Sequence, residues 1–267
     1  MLYYRTYVID PSTPWVTFIH GAGGSSSIWY KQLKEFKNHF NVLLVDLRGH
    51  GKSGKGDWKK GDSFDQVSEE VVKVLNHLHI KTTHFVGISL GTIVIQTIAR
   101  KHPDRISSMI LGGAVIKLNL RTNFLLTVGK IGRYFIPYMW LYRLFAWIIM
   151  PQQSQVESRN VFISSAKKMC QKEFIRWFQL TRRINPYLKN LQFDFKNIPT
   201  LFIMGQEDYL FLPPVKMLVE KNQSLKLVNI EDCGHVCNID QPQRFNEETI
   251  AFIKQSNKSE FQKAVNG

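Results

Sequence analysis

THFVGISLGTIVIQTIA, residues 83–99, joins a strand-like segment to a helix-like segment at a single turn. The residues before the turn are mainly β-branched or aromatic and predict a buried strand, whereas those after it have apolar side chains at helical spacing. The turn itself is Gly87-Ile88-Ser89-Leu90-Gly91. A serine between two glycines at such a turn has two interpretations: it caps the helix, or it is a nucleophile raised above the edge of a sheet.

Six short apolar runs occur along the chain, each bounded by Gly, Pro, Asp or Asn, and one of them is the strand that enters this turn. Their hydrophobicity is continuous rather than alternating, which predicts strands buried on both faces of a parallel sheet. The predicted strands cover residues 15–20, 41–46, 84–89, 106–111, 200–204 and 226–230. Helical patterns fill the gaps between them, at residues 64–78, 90–101 and 243–254, and a further single strand is predicted at residues 3–9. The predicted fold class is therefore α/β, with a mostly parallel sheet flanked by helices.

The βα alternation is interrupted once, between residues 115 and 197. From Lys117 to Lys189 there are thirteen Lys or Arg residues and only two acids, which leaves +11 of the whole-chain charge of +14 in this stretch. The same stretch contains thirteen of the 33 Phe, Trp and Tyr residues. We predict an inserted helical cap at residues 115–197 and a core made of residues 1–114 and 198–267. Breaks between cap helices are predicted at Gly129, Gly132, Pro137, Pro151 and Pro186.

Cysteine content and the first residues of the chain predict the compartment. Cys170, Cys233 and Cys237 are too few and too unevenly spaced for a disulfide framework, which indicates free thiols in a reducing environment. The opening residues MLYYRTYVID lack the charged segment and apolar run of a secretory signal. We expect a cytoplasmic protein.

A catalytic Ser89 would need partners, because a serine hydroxyl is a poor nucleophile at neutral pH without a histidine base and an acid to orient it. Asp208 follows a predicted strand in PTLFIMGQED, and His235 follows the last predicted strand in EDCGHVCNID. Asp194 is an alternative acid, and Glu207, next to Asp208, is expected to point the other way. The order Ser, Asp, His is the one in which this kind of sheet assembles a triad.

Five motifs in this order resemble the successive motifs of the α/β-hydrolase family and extend over residues 15–253, the cap excepted. They are HGAGGSSSIW, DLRGHGKS, GISLG, PTLFIMGQED and CGHVCNIDQPQRFNEETIAFI. The resemblance implies acyl transfer through a covalent intermediate, with Ser89 as nucleophile, His235 as base and Asp208 as the orienting acid. It also implies that the backbone N–H groups of Ala22 and Leu90 form the oxyanion hole. The HGAG form is similar to that of monoacylglycerol lipases.

Other chemistries are disfavoured by the spacing. GHGKS ends like a phosphate-binding loop, but Asp46 occupies the position of its first glycine, and GAGGSS has Ser26 where a dinucleotide fingerprint needs its third glycine. Cys233, His235 and Cys237 lack a fourth metal ligand. We expect no cofactor and no metal. Relatives that dehalogenate alkanes or open epoxides have an aspartate at the position of Ser89, so those activities are excluded.

Two further histidines are expected to have structural contacts rather than the role of the base. His20 is expected to brace the oxyanion loop, and His50, which follows a predicted strand, to contact the cap or solvent.

The cap leaves substrate and partners open. Residues 134–150, YFIPYMWLYRLFAWIIM, are apolar almost all round but too short to span a membrane. They either line an acyl pocket or join a second subunit, or they contact an anionic lipid surface. Nucleic acid is not expected, because no binding motif accompanies the charge.

The predicted function is hydrolysis of carboxylic esters that have an apolar, lipid-like acyl chain. The alternatives are a receptor with slow turnover on the same fold, and carbon–carbon bond hydrolysis or perhydrolysis by the same triad.

Overall fold

The computed structural model describes residues 1–54, 56, 58–118, 127, 135–181, 184–191, 195 and 198–266. These residues form a seven-stranded sheet with the strand order β1-β3-β2-β4-β5-β6-β7. Strand β1 is antiparallel to β3, and every other neighbouring pair is parallel. The strands are β1 (Tyr4–Tyr7), β2 (Trp15–Ile19), β3 (Asn41–Val45), β4 (Thr83–Ile88), β5 (Ile106–Gly112), β6 (Thr200–Gly205) and β7 (Leu225–Ile230). The predicted α/β fold is confirmed, and all six predicted central strands are found within one or two residues.

Helices cover both faces of the sheet, as the continuous apolar strands require. The helices, numbered along the described residues, are α1 (Tyr30–Phe36), α2 (Phe64–His77), α3 (Leu90–Lys101), α4 (Tyr138–Ile149), α5 (Val156–Ala166), α6 (Gln171–Thr181), α7 (Ile184–Leu191), α8 (Leu212–Glu220), α9 (Cys237–Asp240) and α10 (Pro242–Asn266). Helix α10 continues well beyond the predicted end at residue 254, because residues 255–266 contain neither Gly nor Pro. Among the described residues, no helix is both long enough and apolar enough to cross a bilayer.

Helices α4 to α7 all lie between β5 and β6, within the predicted cap. Pro137 directly precedes α4 and Pro151 follows it, as predicted. Pro186 was expected to break a helix, but it lies in the first turn of α7, where a missing backbone N–H removes no intrahelical hydrogen bond. Gly129 and Gly132 lie outside the described residues. The division into a core and a separate cap stays a prediction.

The topology fixes where a site can form. Strands β2, β4, β5, β6 and β7 are parallel, so their carboxyl ends meet at one edge of the sheet. Ser89 directly follows β4, Asp208 follows β6, and His235 follows β7. Three residues that are far apart in the sequence are therefore delivered to the same edge, which is where open α/β sheets bind ligands.

Candidate active site

The turn at Ser89 is sharply bent. Ser89 has φ 52° and ψ −119°, a left-handed conformation that a serine adopts only when the surrounding structure imposes it, at a cost of about 1–3 kcal/mol. Its N–H donates to the carbonyl of Gly112 at 3.0 Å, which ties the turn to β5. A side chain at Gly91 would collide with the carbonyl oxygens of Ile19 and His20, so the second glycine of the motif allows α3 to start this close to β2.

The Ser89 side chain does not cap the helix that it precedes. Within the described part of the chain, its Oγ makes no capping hydrogen bond to the first turn of α3. Instead Oγ lies 2.8 Å from Nε2 of His235. The first interpretation of the turn, a simple helix cap, is therefore wrong.

His235 connects Ser89 to Asp208. Its Nδ1 lies 2.8 Å from Oδ2 of Asp208, and both side chains are almost fully buried. The other carboxylate oxygen of Asp208 accepts the N–H of Phe211 at 3.1 Å, and the Phe211 ring lies against the imidazole with a centroid distance of 4.6 Å. A carboxylate at Nδ1 favours the tautomer with its proton on that nitrogen, which leaves Nε2 free to accept the Ser89 proton.

Glu207, the acid next to Asp208, is turned away from the histidine. Oε2 of Glu207 accepts hydrogen bonds from Ser154 at 2.6 Å and from Gln155 at 2.8 Å, so this carboxylate points toward the helices between β5 and β6, away from His235. Asp194, the alternative acid, lies outside the described residues. Since Asp208 and Ser89 occupy the two ring nitrogens of His235, neither nitrogen is available to join Cys233 and Cys237 in a metal site.

The loop after β2 orients the N–H of Ala22. The carbonyl of Gly21 accepts hydrogen bonds from Nδ1 of His20 at 2.8 Å and from the N–H of Gly24 at 3.1 Å. In a trans peptide the carbonyl and the following N–H point in opposite directions, so fixing the Gly21 carbonyl also fixes the direction of the Ala22 N–H. His20 therefore braces this loop, as its position in the sequence predicts.

The next peptide unit of the same loop is held at both ends, and we call this arrangement the Ala22–Gly23 clamp. The carbonyl of Ala22 accepts a hydrogen bond from the Tyr142 hydroxyl at 2.8 Å. The N–H of Gly23 donates to Nε2 of His50 at 2.9 Å. Tyr142 belongs to α4, so one half of the clamp comes from the predicted cap and the other half from the core.

His50 has to stay neutral to act in the clamp. Its Nδ1 lies 3.0 Å from the carbonyl of Arg48, which places the ring proton there and leaves Nε2 as an acceptor. Burial, and then the nearby His20, hold the pKa of His50 well below its usual value. Trp177 of α6 packs its ring against the imidazole at 5.2 Å. Of the two predicted surroundings of His50, the structure shows α6, which lies within the predicted cap, rather than solvent.

Two cavities meet at Ser89. The larger, of about 190 Å³, is lined by Leu90 and by apolar side chains of α3, α4, α6 and the loop before α8. The smaller, of about 30 Å³, also borders the serine and is lined by His235 and by Val161 and Ser165 of α5. Both are bordered by Ala22. The site therefore offers two spaces of very unequal size next to Ser89.

The clamp gives a testable expectation for Tyr142. Tyr142→Phe removes the hydrogen bond to the Ala22 carbonyl but keeps the ring. For the ester hydrolysis predicted from the sequence, it should lower kcat by about tenfold with little change in KM, the worth of one hydrogen bond. Steady-state kinetics measure this split. The matched control is Tyr138→Phe, which removes a hydroxyl of the same helix that donates to Met169 at 3.1 Å. Equal kcat values for both variants would show that the clamp does not support turnover.

Sequence reasoning did not identify Tyr142 or the contact of Trp177 with His50. No local pattern marks either residue, because each acquires its role only when α4 and α6 fold over the edge of the sheet. The apolar, aromatic character of the segment is the sole signal that it packs near the site.

Comparison with known proteins adds the family. A family model described as the alpha/beta hydrolase fold matches residues 14–155. The chain is 23% identical to 3-oxoadipate enol-lactonase 2 from Acinetobacter baylyi over 91% of its own length and 90% of that protein. Among solved structures, a thermophilic esterase from Thermogutta terrifontis has a TM-score of 0.79 at 18% identity, covering 96% of this chain and 93% of that one. Est816, described as an N-acyl homoserine lactone degrading enzyme, has a TM-score of 0.77 at 21% identity, with coverages of 94% and 96%.

Proposed function

The chain belongs to the α/β-hydrolase fold family, and from that premise we propose that it is a serine hydrolase of carboxylic esters with an apolar acyl group. The observation that carries the proposal is the hydrogen-bonded chain from Ser89 through His235 to Asp208, placed beside an apolar cavity. Each bond is 2.8 Å long, within the range for a nucleophile, a base and an orienting acid.

The mechanism follows from these contacts. Ser89 Oγ attacks the ester carbonyl while His235 Nε2 takes its proton, and Asp208 stabilises the imidazolium that forms. The negative charge that develops on the carbonyl oxygen is stabilised by the N–H groups of Ala22 and Leu90, each such donor contributing about 3 kcal/mol. His235 then protonates the leaving alcohol, and water releases the acyl group by the same steps in reverse order.

The position of His235 indicates which part of the substrate each cavity holds. A leaving oxygen has to lie beside the histidine that protonates it, and His235 lines the small cavity but not the large one. The leaving alcohol therefore occupies the cavity of about 30 Å³, and the acyl group occupies the cavity of about 190 Å³. The preferred substrate is an ester of a sizeable apolar acid with a small alcohol.

The size and polarity of the large cavity limit which acyl groups it can accept. Its volume of about 190 Å³ exceeds the roughly 150 Å³ that accommodates a benzene ring, so it accepts a chain of about six or more carbons. None of its lining residues in the described part of the chain is charged, so a free carboxylate would be buried there without a partner. A 3-oxoadipate enol-lactone carries such a carboxylate, and we expect it to be a poor substrate. A lactone with an apolar substituent also fits both cavities. Its leaving oxygen remains bonded to the acyl part of the substrate, so no separate alcohol group has to enter the small cavity.

A series of methyl esters with acyl chains of increasing length tests the assignment. We expect turnover to rise with chain length, and Val115→Phe, which narrows the large cavity, to shift the optimum to shorter chains. The loss for the best wild-type substrate should be about tenfold, the cost of excluding one or two methylenes. Measuring acid release gives the rates.

The matched control is the same substitution in the small cavity. Val161→Phe narrows the small cavity, so it should disfavour butyl esters relative to methyl esters while leaving the acyl optimum unchanged. If the two variants exchange these effects, the cavity assignment is reversed. Monoacylglycerols belong in the same panel as a further test of alcohol size, because glycerol is at least as large as butanol and should be disfavoured in the same way.

A further inference from the structure

Helix α4 exposes an unusual set of large apolar side chains. Trp140, Leu144 and Trp147 are 64, 43 and 54% exposed, and Phe135 and Ile136, just before the helix, are 83 and 40% exposed. The first three share one face of the helix, since they are separated by four and three residues. We call these five residues the α4 ridge. A contiguous set of exposed aromatic side chains of this kind marks a contact surface.

The opposite face of α4 is also apolar and already has its partners. Leu141, Tyr142 and Ala146 are buried, while Phe145 and Ile149 line the large cavity beside Ser89. Packing inside the protein therefore accounts for the inner face of the helix. On the ridge it reaches Trp147, whose ring centre lies 3.7 Å from the guanidinium of Arg159 and which still is 54% exposed. An outer face of Trp, Leu and Phe is what an interfacial helix presents to the boundary between lipid headgroups and acyl chains.

Cations surround one end of the ridge. The guanidinium of Arg143, which is exposed, lies 6.0 Å from the ring centre of Trp140. Tyr138, in the first turn of α4, donates to the carbonyl of Met169 at 3.1 Å, which brings exposed Lys167 and Lys168 to the same end of the helix.

The acids on the same stretch of the chain do not pair with these cations. The two acids between residues 135 and 191 are engaged elsewhere: Glu157 pairs with Lys31 at 2.7 Å, and buried Glu173 pairs with Arg176 at 2.8 Å. The ridge is therefore bordered by positive charge, which complements an anionic surface. A second copy of the chain would present the same cations around the same ridge, so the charge opposes a symmetric dimer.

We infer that the α4 ridge docks on the surface of a membrane rich in anionic phospholipid, with the apolar side chains at the headgroup boundary and the bordering cations on lipid phosphates. The inference does not depend on hydrolysis by Ser89. If the proposed function also holds, α4 contacts lipid with one face and the acyl cavity with the other.

Sedimentation with lipid vesicles tests the inference, and the Ser89→Ala background separates docking from catalysis. We expect the protein to sediment with vesicles of equimolar phosphatidylcholine and phosphatidylglycerol, and to remain in solution with phosphatidylcholine alone. Raising the salt concentration should weaken binding, because exposed charges are screened. Lys167→Gln with Lys168→Gln should reduce partitioning by about tenfold or more, since each basic side chain near the surface contributes about 1 kcal/mol.

The apolar contribution is tested by a matched pair of double variants. Phe135→Ser with Trp140→Ser should reduce vesicle binding at least about tenfold. Val8→Ser with Met217→Ser removes two side chains of similar exposure, 59 and 57%, that lie outside the ridge, and it should bind as the parent does. Equal binding by both pairs, or no binding to anionic vesicles, would overturn the inference. So would a dimer in light scattering that the ridge variants dissociate, because it would assign the ridge to a second copy of the chain.

Discussion

Ser89→Ala is expected to lower kcat for the preferred methyl ester by at least about 10⁴-fold, the loss typical when a triad nucleophile is removed. Oγ is the atom that would form the acyl-enzyme bond, and it lies 2.8 Å from the base that would activate it. An alanine leaves only the oxyanion donors and the cavities. The fold should be retained, since the substitution removes one oxygen and keeps the backbone of the turn.

Covalent labelling distinguishes this prediction from a general loss of structure. Wild-type protein should react with a fluorophosphonate probe and Ser89→Ala should not. Ser165→Ala removes another hydroxyl that lines the small cavity, and it should be labelled as wild type is. Circular dichroism melts of the three proteins should agree within a few degrees, the effect of about 1 kcal/mol in a chain of this size. A labelled Ser89→Ala variant would identify another nucleophile and contradict the proposed mechanism.

The fold was predictable because its strands are buried on both faces. In β3, β4 and β6 every residue is buried, and such continuous apolar runs are recognisable without knowing their partners. The predictions from the sequence were wrong at the end of one helix and at one predicted helix break. A proline such as Pro186 is tolerated in the first turn of a helix but breaks a helix in its middle, and the sequence does not show where α7 begins. The length of α10 was missed for a related reason, since polar helix formers resemble a solvated tail.

The site was predictable only where its residues follow strands. Ser89 and His235 are marked by short motifs at strand ends, and Asp208 by its distance from β6. The Ala22–Gly23 clamp could not be found in this way. Tyr142 reaches the Ala22 carbonyl from a helix more than a hundred residues further along the chain, and only tertiary packing brings the two together.

The clamp also explains how the predicted cap and the oxyanion loop depend on each other. The Ala22–Gly23 peptide has one end held by His50 of the core and the other by Tyr142 of α4. A movement of α4 away from the sheet would release one end while His50 kept the other. The direction of the Ala22 N–H is set by the preceding peptide, but the Ala22–Gly23 peptide is held at both ends only when α4 is in place. Helix α4, which lines the large cavity, therefore also supports the loop that carries the proposed oxyanion donor.

Asp208→Asn is expected to lower kcat by about 10⁴-fold, even though the substitution is nearly isosteric, because it reverses the tautomer of His235. The local hydrogen bonds predict how the new amide would orient. The N–H of Phe211 donates to Oδ1 of Asp208, so an asparagine would keep its carbonyl oxygen at that position. Its amide nitrogen would then face Nδ1 of His235, where the aspartate now places an acceptor.

An amide donor at this position forces the imidazole to accept at Nδ1, and the neutral ring then has its proton on Nε2. That proton points at Ser89 Oγ, so the histidine donates to the nucleophile instead of removing its proton. KM should change little, because neither cavity is altered. The neighbouring carboxylate provides the control. Glu207→Gln makes the same chemical change one residue away, at a side chain that contacts Ser154 and Gln155. Its kcat should stay within about threefold of the wild-type value, because the change is remote from the reacting atoms. If the kcat of Asp208→Asn stays within about tenfold of the wild-type value, another residue is the acid of the triad and the role proposed for Asp208 is wrong.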